Sequence, residues 1–553
     1  MSEPAATTSR RKRLIPLPAR LALSRAKHPS LMGHAKISKR VARLLPYFEY
    51  SEEEWLQVDG CPEVVSARRA AGLSQLALRL AEKAPRTLEQ SETLATGLSD
   101  LAFTDAYRVP FPFREALRKR IRVGALREGS DGVRVRDLDC NWSYDLAGSY
   151  GVNVFGVDFY KACIERAVER ARDLGPFLGL HHPAVIDNVR RLREISGLDE
   201  VSFHMSGTEA VMQAVACARY RTRRRYAVRF CGAYHGWWDG VQPGVGNPRD
   251  VHDVYTLAEC SEATLHVLER SSDIACVLVN PLQALHPNAP APGDSTLTSS
   301  RRHARFDKPA YSAWLARLRE VCTRRGVALI LDEVFLGFRV ARGGAQEYFG
   351  VAADLVTYGK TLGGGLPVGV VCGRSEWMKR FRGERPTDIH FARGTFNAHP
   401  YVMTAMNEFL TRLDDSENRA SYAELDELWD GRAARLNQRF ASLGLPVRFA
   451  NLASVWTTLY STPSAYNWMF QFYLRAEGLT LSWVGSGRLI FSHAYREEDF
   501  AEVAARIERA ARAMADDGFW WHDGRVTDAQ IERRMLMRSL PRWLRGLARS
   551  PGQ

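Results

Sequence analysis

Two charged residues 28 positions apart carry the most chemistry in this chain: Asp332 closes the apolar run 327–331, and Lys360 follows 355–359. Both runs read as short buried strands. Each charged group therefore stands at a strand's carboxyl end, where open α/β sheets bind ligands. A lysine amine forms a Schiff base with an aldehyde. A carboxylate facing a pyridine nitrogen keeps that nitrogen protonated, so that the ring accepts electrons. The pair suits a pyridine aldehyde.

A phosphate site stands upstream. Ser206-Gly207-Thr208-Glu209 has the S-x-x-E form of a capping box and runs into the helical stripe Val211, Ala214, Val215 and Ala218. A helix N-terminus offers free N–H groups and a positive dipole end. Gly207 permits close backbone approach, and Thr208 adds a hydroxyl. Taken alone this is an ordinary cap, since capping boxes are common. Together with Asp332 and Lys360 it points to pyridoxal 5'-phosphate (PLP). The loop 231–238 places Tyr234 between glycines, where its ring can stack on a pyridine or join a core aromatic cluster. His235 reads as a proton shuttle or as an orienting group. Thr395, in Gly394-Thr395-Phe396-Asn397, lies in a second Gly/Thr loop, and Gly363-Gly364-Gly365 frees the backbone beside Lys360. The arginines of 219–225 offset the negative end of the helix.

These groups need a scaffold. From about 157 to 400, helical patterns alternate with short apolar runs at 228–230, 275–279, 328–331 and 355–357. That alternation predicts a mainly parallel sheet wrapped by helices. Residues 405–515 predict a smaller α+β part, with helices near 420–443 and 498–516 and strands at 446–449, 455–460 and 488–492. A hairpin is expected over 133–146, and 1–100 reads as a helical extension. The Pro-, Ala- and Ser-rich stretch 285–310 reads as a long loop. The expected division is 1–104, a basic arm and helical extension; 105–156, the first part of a small domain; 157–400, the large domain; 401–518, the rest of the small domain; and 519–553, a basic tail.

The net charge of +13 is concentrated at the ends, with +9 in residues 1–40 and +4 in 519–553, so the stretch between is neutral. That argues against a nucleic-acid binder. The start, Ser9 to Leu14, resembles a twin-arginine or Arg-rich transit signal, but Pro16, Pro18, Arg20 and Arg25 break the hydrophobic stretch such a signal needs. A basic arm is the expected reading. The nine cysteines show no CxxC pair and no metal-ligand spacing, so a reducing cytoplasmic setting and no metal site are expected. Near the carboxyl end, Leu536, Leu540, Trp543, Leu544 and Leu547 fall near helical spacing among Arg533, Arg534, Arg538, Arg542, Arg545 and Arg549. That pattern suits an interfacial helix at a membrane surface, a dock for an acidic carrier protein, or a helix packed on the core. Pro541 interrupts it.

Several stretches resemble the class III, fold-type I PLP aminotransferases, most of all the glutamate-1-semialdehyde aminomutase branch. They are SGTEA at 206–210, YHG at 234–236, LILDEVFLGFR at 329–339, GKTLGGGLPVG at 359–369 and GTFNAHP at 394–400. The resemblance covers roughly 105–515. It implies an α/β fold of type I, with a mainly parallel sheet of seven-stranded type beside a smaller α+β domain. It implies that Lys360 holds the cofactor as a Schiff base, Asp332 pairs with the pyridinium nitrogen, and Val334 and Tyr234 pack on opposite ring faces. Ser206, Gly207 and Thr208 hold the phosphate, His235 stands beside the ring, and Thr395 reaches the phosphate of a neighbouring subunit in a homodimer. A small-molecule amino donor and a carbonyl acceptor, free or carrier-bound, are the implied substrates.

The chain also departs from that pattern. Asn280-Pro281 stands where Glu-Pro is usual, Leu336 stands where Thr is frequent, and the 285–310 loop is longer. Arg114 and Arg393 are the candidates for a substrate carboxylate. The expected activity is a two-stage amino transfer in specialised biosynthesis. The alternatives are an intramolecular aminomutase and a non-catalytic scaffold on the same fold.

Overall fold

The computed structural model describes residues 17–27, 35–44, 48–107, 109–241, 253–285, 300, 304, 306–482 and 487–539. The first 16 residues, most of the 285–310 stretch and the tail positions from Leu540 onward lie outside the described residues.

Seven strands make the central sheet: β1 (Glu200–His204), β2 (Tyr226–Phe230), β3 (Val254–Leu257), β4 (Ile274–Val279), β5 (Ala328–Asp332), β6 (Leu355–Gly359) and β7 (Gly369–Gly373). Their order across the sheet is β1-β7-β6-β5-β4-β2-β3. The run from β6 to β3 is parallel throughout. β7 is antiparallel to both neighbours, so β1 points the same way as the parallel set. The carboxyl ends of β1, β2, β4, β5 and β6 therefore share one edge.

Side chains alternate between two buried faces. Ala328, Ile330, Cys276 and Leu278 pack with Ala210, Val211 and Ala214 of the helix Gly207–Thr222. Leu329, Leu331, Val277 and Val279 pack on the other face with Trp314, Leu315 and Phe409. A strand covered on both faces is apolar at every position. That is why these strands are legible as continuous runs.

A second core joins the two ends of the chain. The sheet Val447–Leu452, Val455–Tyr460 and Arg488–Ile490 and the helices Leu425–Ser442 and Glu497–Asp516 cover it. The hairpin of Arg134–Arg136 and Trp142–Asp145 adds a further sheet, paired in parallel with Leu479–Thr480. The extension is part of this core. Trp55 is fully buried, its ring 6.4 Å from Phe113 and Trp468 and 6.5 Å from Phe519. Buried Arg69, on the helix Glu63–Lys83, pairs with Asp59, donates to Gly518 O and lies 4.4 Å from the Tyr466 ring centre. Asp139 of the hairpin accepts from Arg86 N and Thr87 N, which caps the helix Pro85–Ala95 from outside its own segment.

The carboxyl end follows one of its expected readings, a helix packed on the core. Phe519, Trp520 and Ile531 are buried in the second core, so a free tail cannot start at 519. The helix Asp528–Ser539 packs on the extension: Arg534 donates to Asp59 O, and Arg538 pairs with Glu54. Those two arginines are spent within the chain rather than offered to a membrane or carrier. Among the described residues no helix is long and apolar enough to cross a membrane.

Candidate active site

Asp332 is the last residue of β5 and 3 % exposed. One carboxylate oxygen accepts from His235 Nδ1 at 2.8 Å. The other accepts from Val334 N at 3.2 Å and Thr357 Oγ1 at 3.4 Å. A carboxylate acts as acceptor only, so His235 carries its proton on Nδ1. His235 Nε2 is buried and has no hydrogen-bond partner. The histidine is thus placed to orient Asp332.

Lys360 follows β6 with its backbone in the left-handed region, at φ 49°. Its amine lies 5.2 Å from the centre of the Phe335 ring. Among the described residues no carboxylate pairs with it directly. Burial pushes the amine below the ordinary lysine range; the Asp332 charge pulls it back up and the Arg339 charge pushes it further down. An amine with a lowered pKa spends more time as the neutral nucleophile. The next residue anchors it: Thr361 Oγ1 is 2.5 Å from the hydroxyl of buried Tyr160, which also accepts from Val154 N.

A left-handed turn faces Lys360. Gly148, Ser149, Tyr150 and Gly151 all have positive φ. A Cβ at Gly151 would stand 2.8 Å from the Phe335 ring and 3.3 Å from Lys360 Cδ. The position is left to glycine because the aromatic ring and the lysine stem fill the space. Arg339 fixes the same region from behind. It is fully buried and donates to Phe491 O at 2.8 Å, Asn153 O at 3.0 Å and Ser454 Oγ at 3.0 Å. Burial without a carboxylate pulls its pKa down to about 10.

The phosphate-type cradle forms after β1. Ser206 caps the helix Gly207–Thr222, its hydroxyl accepting from Glu209 N at 3.3 Å. Glu209 reaches back to Met205 N, one residue beyond the cap itself. A Cβ at Gly207 would meet Val334 Cγ1 at 2.6 Å, and one at Gly236 would meet Thr208 Oγ1 at 2.6 Å. Ser206, Gly207, Thr208, Val334 and the 234–236 loop thus converge in contact. Tyr234 is 58 % exposed, and its carbonyl accepts from Asn280 Nδ2 at 3.1 Å. Asn280 does what a glutamate could not, because a carboxylate has no donor for a carbonyl.

Three candidates fall outside this cluster. Thr395 is exposed on the turn after Gly394 and bonds to none of these groups among the described residues. Arg393 donates to Gly179 O at 3.1 Å. Arg114 opens the short helix Arg114–Arg118, beside Phe113 and Leu117 of the second core. Sequence reasoning missed Phe335, Arg339, Tyr160 and Gly151. Phe335 and Arg339 lie inside the 329–339 stretch, which was the available signal.

The profile described as aminotransferase class-III matches residues 119–242 and 307–444. The chain is 30 % identical over 416 residues to glutamate-1-semialdehyde 2,1-aminomutase of Geotalea daltonii, covering 70 % of this chain and 91 % of that one. The chain belongs to the class III aminotransferases. Its fold agrees with solved members of that type. An omega-transaminase from Sphaerobacter thermophilus superposes with a TM-score of 0.58 at 26 % identity, covering 71 % of this chain and 91 % of that one. A β-phenylalanine aminotransferase from Variovorax paradoxus gives 0.64 at 23 % identity, covering 81 % and 98 %. As a class III aminotransferase, the chain is a PLP-dependent enzyme of amino-group transfer. The residues present fit that cofactor. A buried carboxylate, an unpaired amine and a capped helix N-terminus meet at one sheet edge, and glycine stands where a Cβ would fill the cradle.

Proposed function

We propose that this enzyme moves an amino group from a small-molecule donor to a carbonyl acceptor, free or carrier-bound, in two stages. It does so in a specialised biosynthetic step, as a cytoplasmic homodimer. The observation that carries the reading is the unpaired Lys360 amine beside the His235-oriented Asp332. Ser206, Gly207 and Thr208 hold the cofactor phosphate, and Val334 and Tyr234 face its ring. When bound, PLP supplies a ring that takes up the electron pair left as a proton departs from the substrate carbon. Asp332 keeps a proton at the ring nitrogen. Lys360 takes the proton from the substrate carbon and later returns one. Phe335 and the 148–151 turn shield that amine from water. Thr395, exposed and apart from this cluster, reaches the neighbouring subunit's phosphate.

A second reading is favoured by one observation: curated relatives at about this identity are named aminomutases. In that reading the first product stays bound and is re-aminated at its neighbouring carbon by the same groups.

The test is the visible absorbance of the purified, PLP-loaded enzyme during titration with a panel of amino donors. Bleaching by one donor, reversed by a carbonyl acceptor, is the result expected of a transaminase. A band that no donor bleaches, with turnover of an amino-aldehyde alone, replaces this reading by the aminomutase.

A further inference from the structure

A pocket lies in the seam between the extension and the second core, away from the site above. Lys83, Arg122, Arg127 and Arg475 line it, against one carboxylate, Asp137; its volume is about 80 Å³. That is room for two or three waters or one small oxyanion. Lys83 and Arg475 lie outside the stretches that the family profile matches.

The carboxylates around the pocket are already committed. Asp137 accepts from Asp139 N, Asn141 N and Asn141 Nδ2. Glu477 is taken by Arg79 and Arg509, and Glu92 by Arg122. Asp139 caps the helix Pro85–Ala95. Lys83 and Arg127 hydrogen-bond to carbonyls, and the charge of Asp137 reaches both. Lys83 donates to Ala476 O at 3.2 Å, and Arg127 to Leu126 O at 2.7 Å. The hydroxyls of Ser143 and Thr480, 2.7 Å apart, also line the pocket, with Leu80, Leu88, Val123, Trp142 and Leu479 as its apolar wall.

We propose that this seam binds a small oxyanion, the phosphate group of a metabolite, between Lys83 and Arg127. A pocket lined by four cations against one carboxylate, Asp137, carries net positive charge and is complementary to such a group. Lys83 and Arg127 are both exposed, so the pocket is open to an anion from solvent. The site joins a helix of the extension to the second core, so its ligand tightens that junction.

Inorganic phosphate is the probe, used on the PLP-loaded enzyme so that the cofactor's own phosphate site is filled. Calorimetric titration at fixed ionic strength, balanced with chloride, is expected to show saturable binding and a raised unfolding temperature. Arg127→Gln and Lys83→Gln are each expected to weaken binding about tenfold or more, the loss of one charge-assisted hydrogen bond. Both should leave turnover unchanged. Phosphate that binds no better than chloride overturns the proposal. So does phosphate binding that neither substitution weakens.

Discussion

Lys360 holds a left-handed backbone that costs a non-glycine residue about 1–3 kcal/mol, so its surroundings must enforce it. The Thr361–Tyr160 hydrogen bond and the Phe335 ring do this, and both bear on the amine. Asp332→Asn removes the charge while keeping the shape. It is expected to lower kcat by about 10²-fold or more, with the cofactor still bound. Near-normal steady-state turnover would remove Asp332 from its role. The Phe335 ring favours the ammonium form through a cation–π contact of about 0.5–1 kcal/mol. Phe335→Leu should therefore lower the pH at which Lys360 titrates, which pH-dependent amine labelling of cofactor-free protein reads at that peptide. An unchanged midpoint would leave the ring as packing only. Most of these roles were legible because the charged groups stand at the ends of apolar runs. Arg339 was not, since its partners, carbonyls and the Ser454 hydroxyl, lie about 115 to 190 positions away, and no local pattern encodes such bonds.

At the scale of elements, legibility followed burial. Strands covered on both faces read as apolar runs, and β4, β5 and β6 emerged directly. β1 has an interrupted pattern, Glu200-Val201-Ser202-Phe203-His204, because it is an edge strand with mixed exposure. β7 begins and ends on glycine, which reads as loop; Gly369 is required because a Cβ there would lie 1.9 Å from Ser206 O. Beyond β3, Glu259 is buried with Tyr311 as its partner and is pushed up to about 8 from an ordinary 4.5 by burial. The folded state thus keeps a proton that the unfolded chain releases near 4.5. Stability falls as pH rises from about 4.5 to 8 and levels off above. Glu333, also pushed up to about 8, works in the same window. Glu259→Gln should lose part of that slope, which for one group is at most about 1.4 kcal/mol per pH unit. Denaturant melts across this range check it, and an unchanged slope would contradict the assignment.

At the scale of the molecule, the extension is a structural partner of the small part of the enzyme rather than an appended arm. Its helical content was readable from apolar spacing, but its docking was not. The Arg69 contacts to Asp59, Gly518 and Tyr466 close distances of up to 449 positions. Removing one member of a buried ion pair strands the other charge, so Arg69→Ala is expected to cost about 3–5 kcal/mol in chemical denaturation. A loss below about 1 kcal/mol would mean that the extension contributes little. The central claim concerns one bond. Borohydride reduction of the PLP-loaded enzyme, followed by peptide mass spectrometry, is predicted to place the pyridoxyl group on Lys360. A label on another lysine, or none after loading, would contradict the account.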